Sequence, residues 1–236
     1  LINTSKKWQI FLLNIMVFVN ILGLCVTFSR AGYFALGVGL ILFFGYIFWN
    51  LTKDDQKINL SAWMPVFVVL ISILTSFFIF RPYILTRATI TDQATIERSQ
   101  YNKIGLKMVK DKPFFGIGIG DSALHMEQYP GQKLEPWQKQ PIHNYFLLSA
   151  AELGIPGALI LIWIFLSHLY RLVASIKYQV LSQKSLNTYY LLLTTFVSFL
   201  ILMLFDHYFY TLQQTQMLLW VILGLMAVNT KNTNHD

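Results

Sequence analysis

Residues 145–170 read YFLLSAAELGIPGALILIWIFLSHLY, 26 positions with no lysine or arginine and one acid, Glu152. At about 1.5 Å per helical residue this run is longer than the roughly 30 Å of hydrocarbon in a bilayer. A helix apolar on every side at that length belongs in lipid, because a soluble domain would give it a polar face. Five more stretches share its character: Trp8 to Phe28, Ala31 to Leu51, Ile58 to Phe80, Thr188 to Phe205 and Thr211 to Val228. None contains lysine or arginine, and 28 of the 29 charged residues lie outside the six runs. Hydrocarbon imposes that partition. The chain is therefore expected to be an all-α polytopic membrane protein with about six transmembrane helices. Its 236 residues are 55% hydrophobic and 12% charged, against about 25% charged in soluble domains, which excludes the ordinary soluble class.

The first run follows Lys6-Lys7, as a signal peptide would, but its 21 residues exceed the usual core of about 7–15 and no small-residue cleavage site follows. It reads as a membrane helix. With one cysteine, Cys25, the chain can form neither an intrachain disulfide nor a multi-cysteine metal site.

Orientation follows from the short loops. Six spans put Lys6, Lys7, Lys53, Lys57, Arg171, Lys177, Lys184 and Lys231 on one side, and only Arg30 on the other. The eight are expected to face the cytoplasm. Residues 1–80 then hold three transmembrane helices, 81–144 form one large extracytoplasmic loop, and 145–236 hold three more helices and a short cytoplasmic tail. The loop carries nine cations (Arg81, Arg87, Arg98, Lys103, Lys107, Lys110, Lys112, Lys133 and Lys139) against six acids. That charge reads either as serving an anionic ligand or as solvation and attraction to anionic lipid. From Thr91 to Lys110, Ala94, Ile96, Tyr101, Ile104, Met108 and Val109 recur at helical spacing, with Thr91 as a cap and Lys112-Pro113 as a stop. An amphipathic helix near the membrane surface is expected there.

Few residues could carry chemistry. Gly116-x-Gly118-x-Gly120 follows a helix, whereas the dinucleotide fingerprint needs a strand before it, so it reads as a tight turn that lets backbone approach a neighbour or an anion. His143, at the start of the fourth span beside Asn144, reads either as a proton acceptor or as a hydrogen-bonded boundary residue. Glu152 lies nine residues on, about 900° around a helix. It therefore faces away from His143 unless Gly154-Ile155-Pro156-Gly157 breaks the helix, and it is expected to be satisfied by another helix. Arg30 reads as a snorkelling anchor, and Arg98 as a solvated or paired cation. Asp206-His207 offers two metal donors without a third in sequence, so a boundary cap is the simpler reading and no metal is expected.

Three ordered motifs nevertheless converge. Ser29-Arg30-Ala31-Gly32 follows a span. Arg98 opens a helix that runs into Asp111-Lys112-Pro113-Phe114-Phe115-Gly116-Ile117-Gly118. Pro141-Ile142-His143-Asn144 leads into Ala151-Glu152-Leu153-Gly154-Ile155-Pro156-Gly157. From about Thr27 to Trp163 the chain resembles the O-antigen ligase and polymerase superfamily of bacterial membrane glycosyltransferases. The resemblance implies transfer of glycan from an undecaprenyl diphosphate carrier to an acceptor hydroxyl of a glycan, lipid or protein, on the outer side of the bacterial cytoplasmic membrane. It implies no cofactor, no metal, no nucleotide sugar and no nucleic acid. It implies His143 as acceptor activator, Arg30 and Arg98 as diphosphate clamps, and Asn144 beside them at the substrate. Family members generally have ten or more spans and this sequence begins at Leu1 without a methionine, so a C-terminal part is expected. A transporter or a lipid-linked glycan binding protein without chemistry is the rival reading. It would call for repeats and polar groups at mid-membrane, whereas here the polar cluster is external.

Overall fold

The computed structural model describes residues 4–53, 64–86, 93–129, 135–181 and 187–231. It is all-helical, with no strand among the described residues. The longer helices are α1 (Thr4–Val26), α2 (Arg30–Lys53), α3 (Met64–Thr86), α4 (Gln93–Asp111), α6 (Tyr145–Leu181), α7 (Asn187–Phe205) and α9 (Gln213–Lys231). Two one-turn helices, α5 (Ser122–His125) and α8 (Tyr208–Thr211), sit among the connections. Trp8–Val26, Arg30–Trp49, Tyr145–Val180 and Asn187–Phe205 are long and apolar enough to cross a membrane. The other two expected spans fall on α3, whose apolar part is the shorter Phe67–Tyr83, and on α9, which opens on Gln213, Gln214 and Gln216. Ile58 and Thr91, which open the expected third span and the expected amphipathic helix, lie outside the described residues.

The chain divides into two compact units, Leu1–Phe34 with Phe44–Asp92, and Ala35–Phe43 with Gln93–Asp236. In the first, α1 packs on α3. The expected first span ends two residues early, and Phe28 just beyond it takes a left-handed φ of 51° that no α-helix continues through. Ser29 caps α2, its Oγ accepting from the Gly32 amide at 3.1 Å. The Tyr33 hydroxyl ties the start of α2 to the end of α1 by donating to the Cys25 carbonyl at 2.6 Å.

In the second unit α4, α7 and α9 pack around α6. Tyr101, Ile104 and Met108 of the expected stripe are buried with Ile142, Leu148 and Ala151, so the inward face of α4 meets α6, while Ala94 and Ile96 at its start are exposed. Gly105 allows the close crossing, since a Cβ there would come within 2.7 Å of Ile142 Cδ1. The middle of α2 belongs to the same unit, where the Ser198 hydroxyl of α7 donates to the Ala35 carbonyl at 3.2 Å.

The long helix α6 is broken once, at Gly154, with φ 77° and ψ 169°. That break frees α6 carbonyls and amides to bond sideways. The Ile117 amide donates to the Ala151 carbonyl at 2.9 Å, the Gly118 amide to the Glu152 carbonyl at 3.2 Å, and the Ile155 amide to the Pro113 carbonyl at 2.7 Å. The turn after α4 is thereby stitched onto the kink. Glu152, 3% exposed, completes the seam by accepting from the Gly120 amide at 2.7 Å and the Ser122 amide at 3.2 Å. The Tyr210 hydroxyl also bonds to it, and burial followed by that carboxylate raises the phenol pKa. The sequence reading expected another helix to satisfy Glu152. Tyr210 on α8 and the Ser122 amide that opens α5 meet that expectation, and the Gly120 amide of the glycine turn adds to them, because a carboxylate accepting several N–H bonds is stable where water is scarce.

Candidate active site

The site forms in the second unit, where the start of α6, the end of α7 and the first half of α4 meet. Asn144 sets the start of α6: its Oδ1 accepts from the Leu147 amide at 2.8 Å, a helix cap. Its Nδ2 donates to the Leu204 carbonyl at 2.8 Å, holding the mouth of α6 against the end of α7. His143 is thereby placed immediately before the first turn. Its ring stacks on Tyr101 of α4, centroids 5.6 Å apart and planes 14° apart. It also meets the His207 ring edge-on, at 4.9 Å and 84°.

Asp206 ends α7, its amide donating to the Leu202 carbonyl at 2.8 Å. Its side chain is 1% exposed and pairs with Arg98 at 3.2 Å. Arg98 also donates to the Phe205 carbonyl at 3.4 Å. Asp206 Oδ1 accepts from the His207 amide at 3.0 Å and stands 3.9 Å from His207 Nε2. The other ring nitrogen, His207 Nδ1, contacts Thr211 Oγ1 at 2.7 Å. Arg98, Asp206, His207 and His143 thus form one polar cluster among apolar helices.

Its electrostatics follow from burial. Desolvation pushes His143 down to about 4, the Asp206 carboxylate opposing it and the His207 and Arg98 charges adding to it. Burial lowers His207 too, again against Asp206. Both rings are neutral at physiological pH. His143 Nδ1 is buried and makes no hydrogen bond of regular geometry, although the Pro141 carbonyl exerts a small pull toward the charged ring. A buried ring nitrogen without a regular partner is uncommon, and the same desolvation keeps the ring in its neutral form.

His143, Asp206 and His207 each offer a donor atom, all within 4.8 Å of one another. The third partner that Asp206-His207 lacked in sequence is therefore His143, brought in by tertiary packing. The Arg98 guanidinium weighs against a divalent cation at this point, since it already neutralises the carboxylate that would anchor the ion. The same groups suit proton transfer beside an anion.

Arg30 belongs to the first unit, at the first position of α2, where it is exposed. A cation there adds to the positive end of the helix dipole instead of opposing it, an arrangement that an anion stabilises. Asp206 and His207, read from sequence as a boundary pair, and Tyr101, read as part of an apolar stripe, are the site residues that pattern reasoning missed. The one signal was a polar pair between two apolar runs.

No curated protein and no solved structure matches the chain. A family model described as O-antigen ligase matches residues 15–162, more than half of the 236 residues, and the match takes in Arg30, Arg98 and His143. With its apolar helices, the chain is a bacterial membrane protein that belongs to the O-antigen ligase family.

Proposed function

We propose that this chain carries the catalytic residues of a glycosyltransferase that moves glycan from undecaprenyl diphosphate to an acceptor hydroxyl at the outer face of the cytoplasmic membrane. The observation that carries the reading is the pairing of a buried Asp206 carboxylate with the partly exposed Arg98 guanidinium, beside a neutral His143. In the reaction the acceptor oxygen attacks the anomeric carbon and the bond from that carbon to phosphate breaks. Undecaprenyl diphosphate leaves with the bonding electrons, and the acceptor proton passes to the His143 ring. Arg98 has five N–H donors. Its bonds to Asp206 and Phe205 use two, leaving a fork able to take a phosphate oxygen pair as negative charge grows on the leaving group. Asp206 fixes the guanidinium and offsets the positive charge that His143 acquires. Asn144 sets where His143 stands. Arg30 keeps the diphosphate-contacting role that its Ser29-Arg30-Ala31-Gly32 motif implies.

The test is transfer from a purified undecaprenyl diphosphate glycan by variants at equal protein levels. Losing one charge-stabilising donor costs on the order of 10²-fold in rate, so Arg98→Ala should fall that far. Arg98→Lys should fall less, keeping charge without the two-pronged geometry. A fully active Arg98→Ala would remove Arg98 from the reaction.

Sidedness is tested separately, motivated by the eight-to-one cation asymmetry of the short loops. Alkaline phosphatase fused near Gly120 is expected to be active, and fused near Gln56 or Gln179 inactive. The reverse pattern would place the cluster in the cytoplasm and end the proposal.

A further inference from the structure

The turn after α4 leaves its apolar side chains uncovered: Phe114 is 71% exposed, Phe115 92% and Ile119 75%. Its backbone is nevertheless bound to α6 at Ala151, Glu152 and Ile155. That docking fixes its depth. From Ile155 the chain has no charged residue until Arg171, a helical rise of about 24 Å. A hydrocarbon layer of about 30 Å that meets Arg171 at one boundary therefore reaches beyond Ile155, as far as the docked turn. The outward residues of α6 from that point, Ile155, Leu159 and Trp163, are 43%, 57% and 69% exposed. The uncovered turn continues this apolar surface.

A second observation concerns the backbone. Irregular chain survives at membrane depth only where protein satisfies its polar groups, since lipid cannot. The amides of Gly116, Ile117 and Gly118 are all bonded, and those of Gly120 and Ser122 are held by Glu152. Protein thus satisfies the amides that face α6, and the other side of the turn presents apolar side chains. Lys110 and Lys112, both exposed, come just before it, with stems long enough to reach headgroup phosphates.

We propose that Phe114, Phe115 and Ile119 insert among phospholipid acyl chains as a wedge, which anchors the end of α4 to the bilayer. The wedge holds one end of the helix that carries Arg98, so the cluster keeps its height relative to the membrane without depending on loop stiffness. The inference is independent of the glycan chemistry and needs no turnover to test.

In the intact protein with Cys25→Ser, reconstituted in lipid nanodiscs, a nitroxide is attached at Phe115→Cys, with Leu159→Cys and Gln128→Cys as references. At 115 the label should collide several-fold more with molecular oxygen, which concentrates in lipid, than with a water-soluble nickel chelate. Position 159 should agree, and 128 should show the opposite preference. A label at Phe114→Cys reads the same comparison should the 115 variant fail to insert. Preference for the chelate at 115 would place the turn in water, and poor access to both reagents would mean that protein covers it. Either result overturns the wedge.

Discussion

Replacing His143 by alanine is expected to lower glycan transfer by about 10²- to 10⁴-fold, the contribution typical of a positioned general base, while leaving membrane insertion unchanged. The ring fills a slot between Tyr101 and His207 and makes no hydrogen bond of regular geometry through Nδ1, so its loss leaves no partner stranded. The pH profile distinguishes a base from a spacer. Burial holds the ring near 4, below the about 6.5 of a free imidazole, so the neutral form persists as pH falls. The acid limb of kcat/KM, which reports the free enzyme, should therefore lie near pH 4 and not near 6.5. A bound diphosphate adds negative charge beside the ring and raises its pKa, which moves the limb in kcat above the limb in kcat/KM. Asp206→Asn removes the carboxylate that favours the charged ring, so its kcat/KM limb should move lower still. Wild-type turnover by a well-inserted His143→Ala protein, or an acid limb that survives the substitution, would eliminate the role.

How far sequence reaches is visible in individual residues. The helices of the membrane were legible because hydrocarbon excludes charge over some twenty consecutive positions, a signal no local preference can mask. Ends were less so: α1 stops at Val26 and not Phe28, because Ser29 caps α2 and the chain must turn before it. The stripe on α4 was read correctly at Tyr101, Ile104 and Met108, but periodicity says only that a face is covered, and its cover is α6. Spacing set Glu152 on the opposite face from His143 unless the helix broke at Gly154-Ile155-Pro156-Gly157; it does break at Gly154, and Glu152 turns to other partners. Spacing could not show that the partners would be amides of Gly120 and Ser122, since every residue carries an amide and none advertises which is unpaired. Asp206 and His207 looked like a boundary pair for a related reason: the groups that pair with them, Arg98 on α4 and His143 just before α6, come from elsewhere in the chain. The resemblance read from the sequence rests on the order of three motifs, and order along the chain carries no record of the contacts between them.

Gly154→Ala should be among the most damaging single-methyl additions in the second unit, and Gly120→Ala a mild one. Both glycines have positive φ, 77° and 80°, so the difference cannot come from φ alone. At Gly120 a Cβ meets nothing within 4 Å, leaving the left-handed penalty of about 1–2 kcal/mol. At Gly154 the added carbon would lie 2.2 Å from the Phe114 carbonyl oxygen and 2.5 Å from its carbon, with φ and ψ in a region open essentially to glycine only. Backbone cannot yield as a side-chain tip does, so the turn must lift from the kink. Lifting breaks the bond from the Ile155 amide to the Pro113 carbonyl at 2.7 Å and draws the amides of Gly120 and Ser122 away from Glu152, leaving a buried acid short of donors. Several kcal/mol is the scale of such combined losses, against a total stability of about 5–15 kcal/mol for a folded domain. Gly116→Ala attacks the same seam from the other side, its Cβ 2.3 Å from the Glu152 carbonyl, and should match Gly154→Ala. Thermal aggregation of the detergent-solubilised variants, followed by size-exclusion chromatography, should therefore place Gly154→Ala and Gly116→Ala together, far below wild type, with Gly120→Ala close to it. If all three melted alike, the seam between the glycine turn and α6 would not be what holds this part of the fold.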